Sequence, residues 1–400
     1  MRVVVSGLGA VTAAGVGRTA LAEALERGRV PRTEIDRSEG FHGAGFPRRA
    51  GLVPTRAFPQ WIPPLEARRL SPPSRFAVVA ARTALEDAGI ERPEEPDPAT
   101  AVSLGTAFGP SSWTQGLLDQ IFGEGPQAAS PVLFTESVAN APAGRVALAC
   151  RAAGANHTFS QGEASALLAV ARGADEIVHG GAERALAGAT DEMTPLLHAI
   201  LHRFGALAEG EEEPQPFGAG RDGFLAAEGA AVALLEREET AAERGARPLA
   251  TLRAWITAFD PTASRAGWGR GAATLAAGLR GELERAGVAL DSIDLVLSGA
   301  SGSRAGDRLE AEVLAALWPS GPRPAVLAPK ALTGEYGGAF LAAALLLASG
   351  APAWLPKIPV DPALDVTPFA GSWETPPRRT LVTSLASGGA AAWLVLDRPA

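Results

Sequence analysis

Short, almost fully apolar segments that alternate with helical segments constrain the fold of this chain more than any other feature. Residues 2–11 (RVVVSGLGAV) and 99–109 (ATAVSLGTAFG) are predicted to be buried strands. Residues 71–90 begin with Ser and Pro, show apolar residues at helical spacing and stop at Gly89, so they predict a helix. Strand–helix alternation of this kind predicts an α/β fold.

The alternation continues along the whole chain. The helix at 164–174 (ASALLAVARGA) is nearly all apolar, and we therefore expect it to be central. The other predicted helices lie at 141–154, at 305–318 and within 341–355, and the other strands at 156–160, 176–183, 226–239, within 291–303 and within 378–397.

A second series of elements begins after about residue 245. Its last strand (GAAAWLVLD, 389–397) resembles the last strand of the first series (GAAVALLE, 229–236). We therefore expect two similar α/β halves packed together, residues 1–245 and 246–400.

Composition and charge exclude several classes of protein. The net charge of -8 argues against a nucleic-acid-binding protein, because phosphate contacts need a basic surface. The acidic residues of 208–216 are predicted to form a solvated loop. Cys150 is the only cysteine, which excludes an intrachain disulfide and fits a reducing cytoplasm. Gly350 and Pro352 interrupt the most apolar segment, so it is too short for a membrane span of about 20 residues. We expect a cytoplasmic protein without metal or cofactor.

The segment TFSQGEASALLAVARGADEIVHGGAE (158–183) has the outline of a strand, a sharp turn and a buried helix. Enzymes use such a turn to present a nucleophile, because a helix N-terminus favours a developing anion. The residue at the apex is Glu163, which has neither a thiol nor a hydroxyl. The turn therefore predicts a functional site and leaves the role of its carboxylate open.

Four segments, in the right order over nearly the whole chain, resemble the β-ketoacyl synthase family of the thiolase fold. They are RVVVSGLGAVTAAG (2–15), GRDGFLAAEGAAVALLE (220–236), PKALTGEYGGA (329–339) and SLASGGAAAWLVL (384–396). The resemblance implies a thiolase-like α/β fold with two similar halves in a layered αβαβα arrangement.

The departures from the family pattern carry the functional information. Active members have a Cys at the turn, which takes the acyl chain, and two His residues that stabilise the thioester oxyanion and promote malonyl decarboxylation. Here the Cys position is Glu163, the first His position is Gly299 (or Ser301 if the loop is shifted), and the second is Glu335. The gating Phe is replaced by Ser387 and the carboxylate of the next helix by Ala344, whereas Lys330 is retained. The resemblance implies a degenerate site with no catalytic residue.

Three roles are open to Glu163. A nucleophile would form an anhydride with a thioester and would need a base that the sequence does not offer. A general acid or base, or a malonyl-binding group, would bring like charges together. The expected role is a polar plug whose carboxylate accepts the N–H groups of the helix that starts at Ala164. Lys330 is expected to pair with Glu163 or with Glu335.

Within the family, the chain resembles the chain-length factor, the ketosynthase β-subunit of type II polyketide synthases. That subunit also lacks the Cys, although it usually has Gln there, and residues 133–148 resemble it as well. The resemblance implies a heterodimer with a catalytic ketosynthase, contact with acyl carrier protein through the complex, and assembly of a polyketide, either polyene or aromatic. The alternatives are a decarboxylase of malonyl carrier protein and a homodimeric scaffold.

The segment TAFGPSSWTQGLLDQIF (106–122) is predicted to set product length, because it follows the second strand, where the resemblance places the meeting of tunnel and interface. Its large apolar residues recur near helical spacing, which core packing would equally explain; they are Phe108, Trp113, Leu117 and Ile121. The apolar helix 141–154 and the strand 156–160 are expected to pair with a partner across a sheet edge.

Overall fold

The computed structural model describes residues 2–55, 58–209 and 213–399, so residues 210–212 of the predicted acidic loop lie outside the described residues. The strands are β1 Val3–Thr12, β2 Gly15–Val16, β3 Thr33–Glu34, β4 Arg49–Ala50, β5 Thr100–Gly105, β6 Asn156–Phe159, β7 Arg184–Asp191, β8 Gly229–Arg237, β9 Ala250–Phe259, β10 Leu295–Leu297, β11 Ala325–Leu327, β12 Ala353–Leu355, β13 Gly371–Trp373, β14 Arg379–Leu385 and β15 Ala390–Asp397.

The helices flank these strands in the order that the alternation predicts. They are α1 Arg18–Glu26, α2 Pro64–Ala67, α3 Pro72–Asp87, α4 Ser111–Glu124, α5 Pro131–Glu136, α6 Ala141–Cys150, α7 Ser165–Val178, α8 Pro195–Arg203, α9 Glu238–Glu243, α10 Ala272–Arg285, α11 Arg304–Leu317, α12 Lys330–Thr333 and α13 Ala339–Ala348. Single 3₁₀ turns lie at Pro126–Ala128, Gly162–Ala164 and Leu290–Ser292.

The main sheet has eleven strands, which are two copies of one five-stranded pattern and the short β2 paired with β1. Its strand order is β11-β10-β14-β15-β9-β1-β8-β7-β5-β6. In each copy the first strand lies beside the fifth, followed by the fourth, second and third. In each copy the second strand runs parallel to both neighbours, and the other pairs are antiparallel. The copies join where Val3, Val4 and Val5 of β1 pair with β9. The expectation of two similar halves is confirmed, whereas their boundary at 245/246 remains a prediction.

The layers follow from where the apolar side chains lie. One core contains α7, α13 and one face of the strands of both halves. A second core packs α3 and α6 on the other face of the first half. A third packs α10 and α11 on the other face of the second half. Each five-stranded copy of the main sheet thus acts as one sheet layer, with α7 and α13 between the two copies. The arrangement is therefore helix, sheet, helix, sheet, helix, which confirms the predicted αβαβα layering.

The central helix α13 is apolar all round because strands cover it on two sides. Every residue of α13 (AFLAAALLLA) is buried. Its ten residues span about 15 Å at 1.5 Å per residue, which is half of a bilayer core. Within 2–55, 58–209 and 213–399, no helix combines the length and the apolar character that crossing a membrane requires.

Two parts of the strand prediction were wrong. Residues 176–183 do not form a strand: α7 continues to Val178, and Gly180 (φ 77°) begins the turn into β7. The helix face that packs in the core extends past the nearly all-apolar run, so the helix is longer than that run predicts. The sequence prediction also missed β7, which follows that turn, and β9. In β9 buried and less buried residues alternate, as expected for a strand with one better covered face.

The contact between β1 and α3 gives a stability prediction. A Cβ added to Gly9 would lie 1.8 Å from the carbonyl oxygen of Ala80, whereas one added to Gly278 of α10 meets nothing within 4 Å. Gly9→Ala should lower the free energy of unfolding by about 1–3 kcal/mol through overpacking. The matched variant Gly278→Ala should raise it by up to about 1 kcal/mol through helix propensity. Chemical denaturation measures both, and equal effects of the two variants would contradict the close approach.

Candidate functional site

The turn after β6 places Glu163 at the entrance to the central helix layer. Gly162 has a left-handed φ of 53°, and the 3₁₀ turn Gly162–Ala164 leads directly into α7. The hydroxyl of Ser165 accepts the N–H of Gln161 at 2.8 Å and lies 2.8 Å from the carbonyl of Gly162. The carbonyl of Glu163 accepts the hydroxyl of Ser384 at 2.8 Å, so the turn is held from both halves of the fold.

The carboxylate of Glu163 binds residues of the second half and does not cap α7. The N–H of Ser387 donates to it at 3.1 Å and the hydroxyl of Ser387 at 3.2 Å. The hydroxyl of Tyr336 lies 3.5 Å from its other oxygen. The N-terminus of α7 has no side-chain cap, so the predicted capping of the helix that starts at Ala164 was wrong. The reason is geometric: the turn at Ser387 lies against Gly162 and offers a donor that faces the carboxylate.

Burial, together with the negative charge of Glu335, raises the pKa of Glu163 to about 7. The backbone N–H of Glu163 itself, the charge of Lys330 and the N–H of Ser387 act in the opposite direction but do not prevail. A large fraction of Glu163 is therefore neutral at pH 7. Because a neutral Glu163 does not repel malonate, the argument from like charges against a malonyl-binding role is weaker.

Lys330 pairs with Glu335, which settles which of the two carboxylates is its partner. Its Nζ lies 2.6 Å from Oε1 of Glu335, and the two side chains are only 1% and 3% exposed. The ammonium also lies 4.9 Å from the ring centroid of Phe340. A buried pair of this kind adds little net stability, although loss of one partner typically costs about 3–5 kcal/mol.

The loop predicted to replace the first His leaves no room for a side chain at Gly299. A Cβ added there would lie 2.7 Å from the carbonyl oxygen of Thr383. The N–H of Gly299 donates to the hydroxyl of Thr383 at 3.2 Å. Ser301 is buried, and its N–H donates to Asp307 at 3.1 Å. Gly299 therefore lies beside Thr383 of β14, and the residue after Thr383, Ser384, binds Glu163. Ser301 instead belongs to the turn that Asp307 holds.

Asp307 holds that turn together from within α11. It accepts N–H groups of Ser301, Gly302 and Phe217. Burial raises its pKa to about 7.

Sequence reasoning missed two residues of the site, and the first is Glu310. This buried carboxylate of α11 accepts the hydroxyls of Ser298 and Thr383. Burial raises its pKa, while the nearby charge of Lys330 lowers it. Its position three residues after Asp307 on an amphipathic helix is a signal that could have identified it as inward-facing.

The second missed residue is Tyr336, the only tyrosine of the chain. It has a left-handed φ of 75°, which is uncommon for a residue with a side chain. Its ring contacts Phe108 edge-on at 4.8 Å and Phe224 at 5.5 Å, and its hydroxyl faces Glu163. A single Tyr directly after Glu335 in a segment flanked by Gly was the available signal.

The length-gate candidates separate into two groups. Phe108 precedes α4 and does not share a helix face with the others, so the predicted helical spacing fails for it. Its loop is held by Asp191, which accepts the N–H groups of Ala107 and Phe108. Trp113, Leu117 and Ile121 do lie on α4, where Leu117 is buried and the other two are half-buried. Of the four, Phe108 is the residue that contacts Tyr336 of the site.

The groups that could replace the missing thiol and imidazoles lie elsewhere. Cys150 is buried at the end of α6, and burial raises its pKa to about 12. His42 and His198 contact each other at 3.1 Å, and His157 pairs with Glu176. Within the described ranges, no cluster of three or more His, Cys, Asp or Glu residues has the arrangement of a metal site.

The raised pKa of Glu163 gives a pH-dependent prediction. Because the pKa in the folded chain (about 7) exceeds the ordinary value of 4.5, the native state binds the proton more tightly, and stability falls as pH rises from about 4.5 to 7. Glu163→Gln removes this loss. The variant should match the parent near pH 4.5 and exceed its free energy of unfolding by at most about 3 kcal/mol above pH 7. Denaturation across this pH range measures the difference, and Glu34→Gln at an exposed position serves as control. A difference independent of pH would contradict the assignment.

Comparison with known proteins agrees with this geometry. Residues 1–241 match the family model "Beta-ketoacyl synthase, N-terminal domain" and residues 249–349 match "Beta-ketoacyl synthase, C-terminal domain". The chain is 31% identical over 347 residues to 3-oxoacyl-(acyl-carrier-protein) synthase 2 of Mycobacterium tuberculosis, covering 82% of this chain and 80% of that protein. It is 30% identical over 364 residues to the tetracenomycin polyketide synthase ketoacyl synthase beta subunit of Streptomyces glaucescens, covering 87% and 85%.

A solved structure, the ishigamide ketosynthase/chain length factor, superposes with a TM-score of 0.89 at 29% identity and covers 100% of this chain and 99% of that chain. The fold, the two family models and the relatives agree. The chain belongs to the β-ketoacyl synthase family and has the thiolase-like ketosynthase fold.

Proposed function

We propose that this chain is a non-condensing chain-length-factor subunit, which pairs with a catalytic ketosynthase and shapes its acyl tunnel during type II polyketide elongation. The observation that carries the proposal is the occupant of the nucleophile position: a carboxylate bound by Ser387 and Tyr336. The relatives described as a ketoacyl synthase beta subunit and as a ketosynthase/chain length factor support it. Acyl carrier protein is the second proposed partner and is contacted through the complex.

The site lacks each group that condensation needs. Glu335, at the second His position, is an anion paired with Lys330 and cannot donate to a thioester oxygen as an imidazole N–H does. Gly299, at the first His position, contacts Thr383 too closely to accept a side chain. Loss of a single oxyanion donor typically costs about 2.7–4 kcal/mol of transition-state stabilisation. Loss of both leaves a site that holds its shape without catalysing condensation.

The proposed partner surface is formed by α4, α5, α6 and β6. β6 is the last strand of the main sheet and pairs only with β5 among the described strands, so its other edge is available for pairing. Large apolar side chains are exposed on α4, α5 and α6 and on the loop between α5 and α6: Leu118, Phe122, Val132, Phe134, Val138 and Leu148. A patch of this kind marks an interaction site, and an obligate interface buries more than roughly 2,000 Å².

Phe108 is the proposed connection between that surface and the site. It is 37% exposed, its ring borders Tyr336, and α4 begins three residues later. A bulky ring at the end of a partner's acyl tunnel would stop growth, because a packed interface accepts another two-carbon unit only where a void exists.

One observation favours a second function. Because the pKa of Glu163 is raised to about 7, its neutral form could lie beside a malonyl group without repulsion and donate a proton after carbon dioxide leaves. Release of carbon dioxide from malonyl carrier protein by the chain alone, abolished in Glu163→Ala, would favour the decarboxylase over the proposed subunit.

Restoring the thiol should not restore condensation. Glu163→Cys provides a nucleophile at the N-terminus of α7 but leaves Gly299 and Glu335 unchanged. We expect alkylation of the new thiol by an acyl-like reagent, while no ketoacyl product forms when malonyl carrier protein is added. Mass spectrometry of the products measures this, with Glu34→Cys at an exposed position as a control for non-specific alkylation. Product formation by Glu163→Cys or by the unmodified chain alone would end the proposal.

The partner surface can be tested by charge substitution. Phe134→Asp places a charge on an exposed position of α5 and should abolish the complex with a co-expressed ketosynthase, because burying an unpaired charge is costly. Phe204→Asp, on a ring that is 81% exposed after α8, should leave the complex intact. Native mass measurement reports both. A chain that stays monomeric beside its ketosynthase contradicts the heterodimer, and one that forms only homodimers favours the scaffold.

Product length tests the proposed gate. Phe108→Ala should lengthen the product of the assembled complex by at least one two-carbon unit, and Trp113→Ala should do so only if α4 itself lines the tunnel. Phe204→Ala removes a comparable ring outside the proposed surface and serves as the control. Product mass is the measurement. An unchanged length from Phe108→Ala in an intact complex would assign this ring to simple packing.

A further inference from the structure

A cavity of about 210 Å³ lies at the C-terminal end of α11, in the outer core of the second half of the fold. Its interior is formed by buried apolar side chains of β10, β11, the end of α11 and the segment before β13: Val296, Leu314, Trp318, Val326 and Val366. Its opening is lined by exposed polar residues: Arg323, Asp365 and Thr367. We call this cavity the α11 pocket. It therefore joins an apolar interior to a polar opening.

The apolar interior is formed before any ligand binds. The indole N–H of Trp318 donates to the carbonyl of Leu290 at 3.4 Å, which orients the ring. The N–H of Phe369 donates to the carbonyl of Val326 at 2.7 Å, so the segment that contains Val366 is attached to β11. Because an apolar cavity of about 150 Å³ is enough to bind benzene, the α11 pocket has room for a branched aliphatic or small aromatic side chain.

The opening has one cation and one anion, which bind each other. Arg323 donates to a carboxylate oxygen of Asp365 at 2.7 Å, to the carbonyl of Asp365 at 2.8 Å and to the carbonyl of Trp318 at 3.1 Å. Their hydrogen bond raises the pKa of Arg323 and lowers the pKa of Asp365, so both residues are charged at neutral pH. A guanidinium has five N–H donors and a carboxylate has two oxygens, so each partner keeps hydrogen-bonding capacity after the pair has formed.

This pair of opposite charges restricts the ligand. A simple carboxylic acid would bring its negative charge beside Asp365, and a simple amine would bring its positive charge beside Arg323. A zwitterion avoids both repulsions, because its carboxylate can accept from the guanidinium while its ammonium donates to the carboxylate. An α-amino acid has both charged groups on one carbon atom, and its side chain is then free to enter the apolar interior.

We propose that the α11 pocket binds a free α-amino acid with an apolar side chain of about the size of leucine or phenylalanine. The carboxylate of the ligand accepts from Arg323, and its ammonium donates to Asp365. Its side chain lies between Leu314, Trp318 and Val366. The pocket shares no lining residue with the Glu163 site or with the proposed partner surface, so this binding is an addition to the proposed function.

Calorimetric titration of the full chain with matched small molecules tests this inference. L-leucine and L-phenylalanine should bind at millimolar concentrations. Isocaproate lacks the ammonium of leucine, isoamylamine lacks its carboxylate and glycine lacks its side chain. Each of these three molecules should bind more weakly than L-leucine by about threefold or more, which is the order of magnitude that one exposed ion pair contributes.

Three variants locate the binding. Asp365→Asn removes a charge from a side chain that is 73% exposed, so folding should be unaffected, and L-leucine binding should weaken by about threefold or more. Asp119→Asn removes the same charge from an exposed position of α4 and should leave binding unchanged. Val366→Phe adds a ring at the buried wall and should abolish binding of L-phenylalanine. If Val366→Phe does not fold, the two Asp variants still decide the result.

Each outcome supports or overturns the inference. Binding of L-leucine that Asp365→Asn weakens and Asp119→Asn does not, with weaker binding of isocaproate and isoamylamine, identifies the α11 pocket as an amino-acid site. Absence of binding by both amino acids overturns the proposal. Equal binding of L-leucine and its two analogues, or equal effects of the two Asp variants, also overturns it, because the charges at the opening would then take no part. These measurements do not depend on whether the chain condenses or pairs with a ketosynthase.

Discussion

The constraint on which the rest of this structure depends is the burial of two helices between two sheets. α13 consists of small and apolar residues because strands lie on both of its sides, and α7 packs its own buried small and apolar face into the same layer. The charged residues of α7, Arg172, Asp175 and Glu176, lie on its less buried side. Both helices begin at the same place, since Glu163 before α7 lies 3.5 Å from Tyr336 before α13. The candidate site lies at this junction.

Two physical effects compete for the charge of Glu163. Helix N-termini favour a negative charge, as do the donors from Ser387. Burial and the neighbouring Glu335 disfavour it, and the pKa of about 7 shows that these prevail. Lys330 provides one ammonium for several carboxylates and is committed to Glu335 at 2.6 Å. Burial raises the pKa of Glu163 to about 7 and also raises the pKa of Glu310, as expected for buried carboxylates that no cation among the described residues pairs directly.

The same arrangement links the pocket to the proposed partner surface. Asp191 accepts the N–H groups of Ala107 and Phe108 and lies within 3.4 Å of the N–H of Gly337. Asp191 therefore fixes the positions of the Phe108 loop and the Tyr336 loop relative to each other. Tyr336 keeps an unfavourable backbone conformation at this point, which requires support from its surroundings, and the two phenylalanine rings provide it. The pocket around Glu163 thus has a defined shape next to an exposed apolar surface.

The sequence by itself determined the architecture, whereas the location of the site at the turn before α7 remains a prediction. Apolar strands between helices and two similar closing strands were enough for two α/β halves, because hydrophobic patterning is local in the chain. The resemblance to a motif likewise predicted departures at Glu163, at Gly299 or Ser301, and at Glu335. Only the tertiary structure decided which groups these residues meet. Ser387, which binds Glu163, is 224 residues away in the sequence. The N–H groups of the helix that follows Glu163 are much nearer in the chain, so the sequence favoured them as donors. Packing between segments that are distant in the chain also decides three other features. Lys330 pairs with Glu335, Glu310 and Tyr336 face inward, and Phe108 lies outside α4. Local patterns cannot encode such contacts, because they arise only when the two sheets close on the central helices.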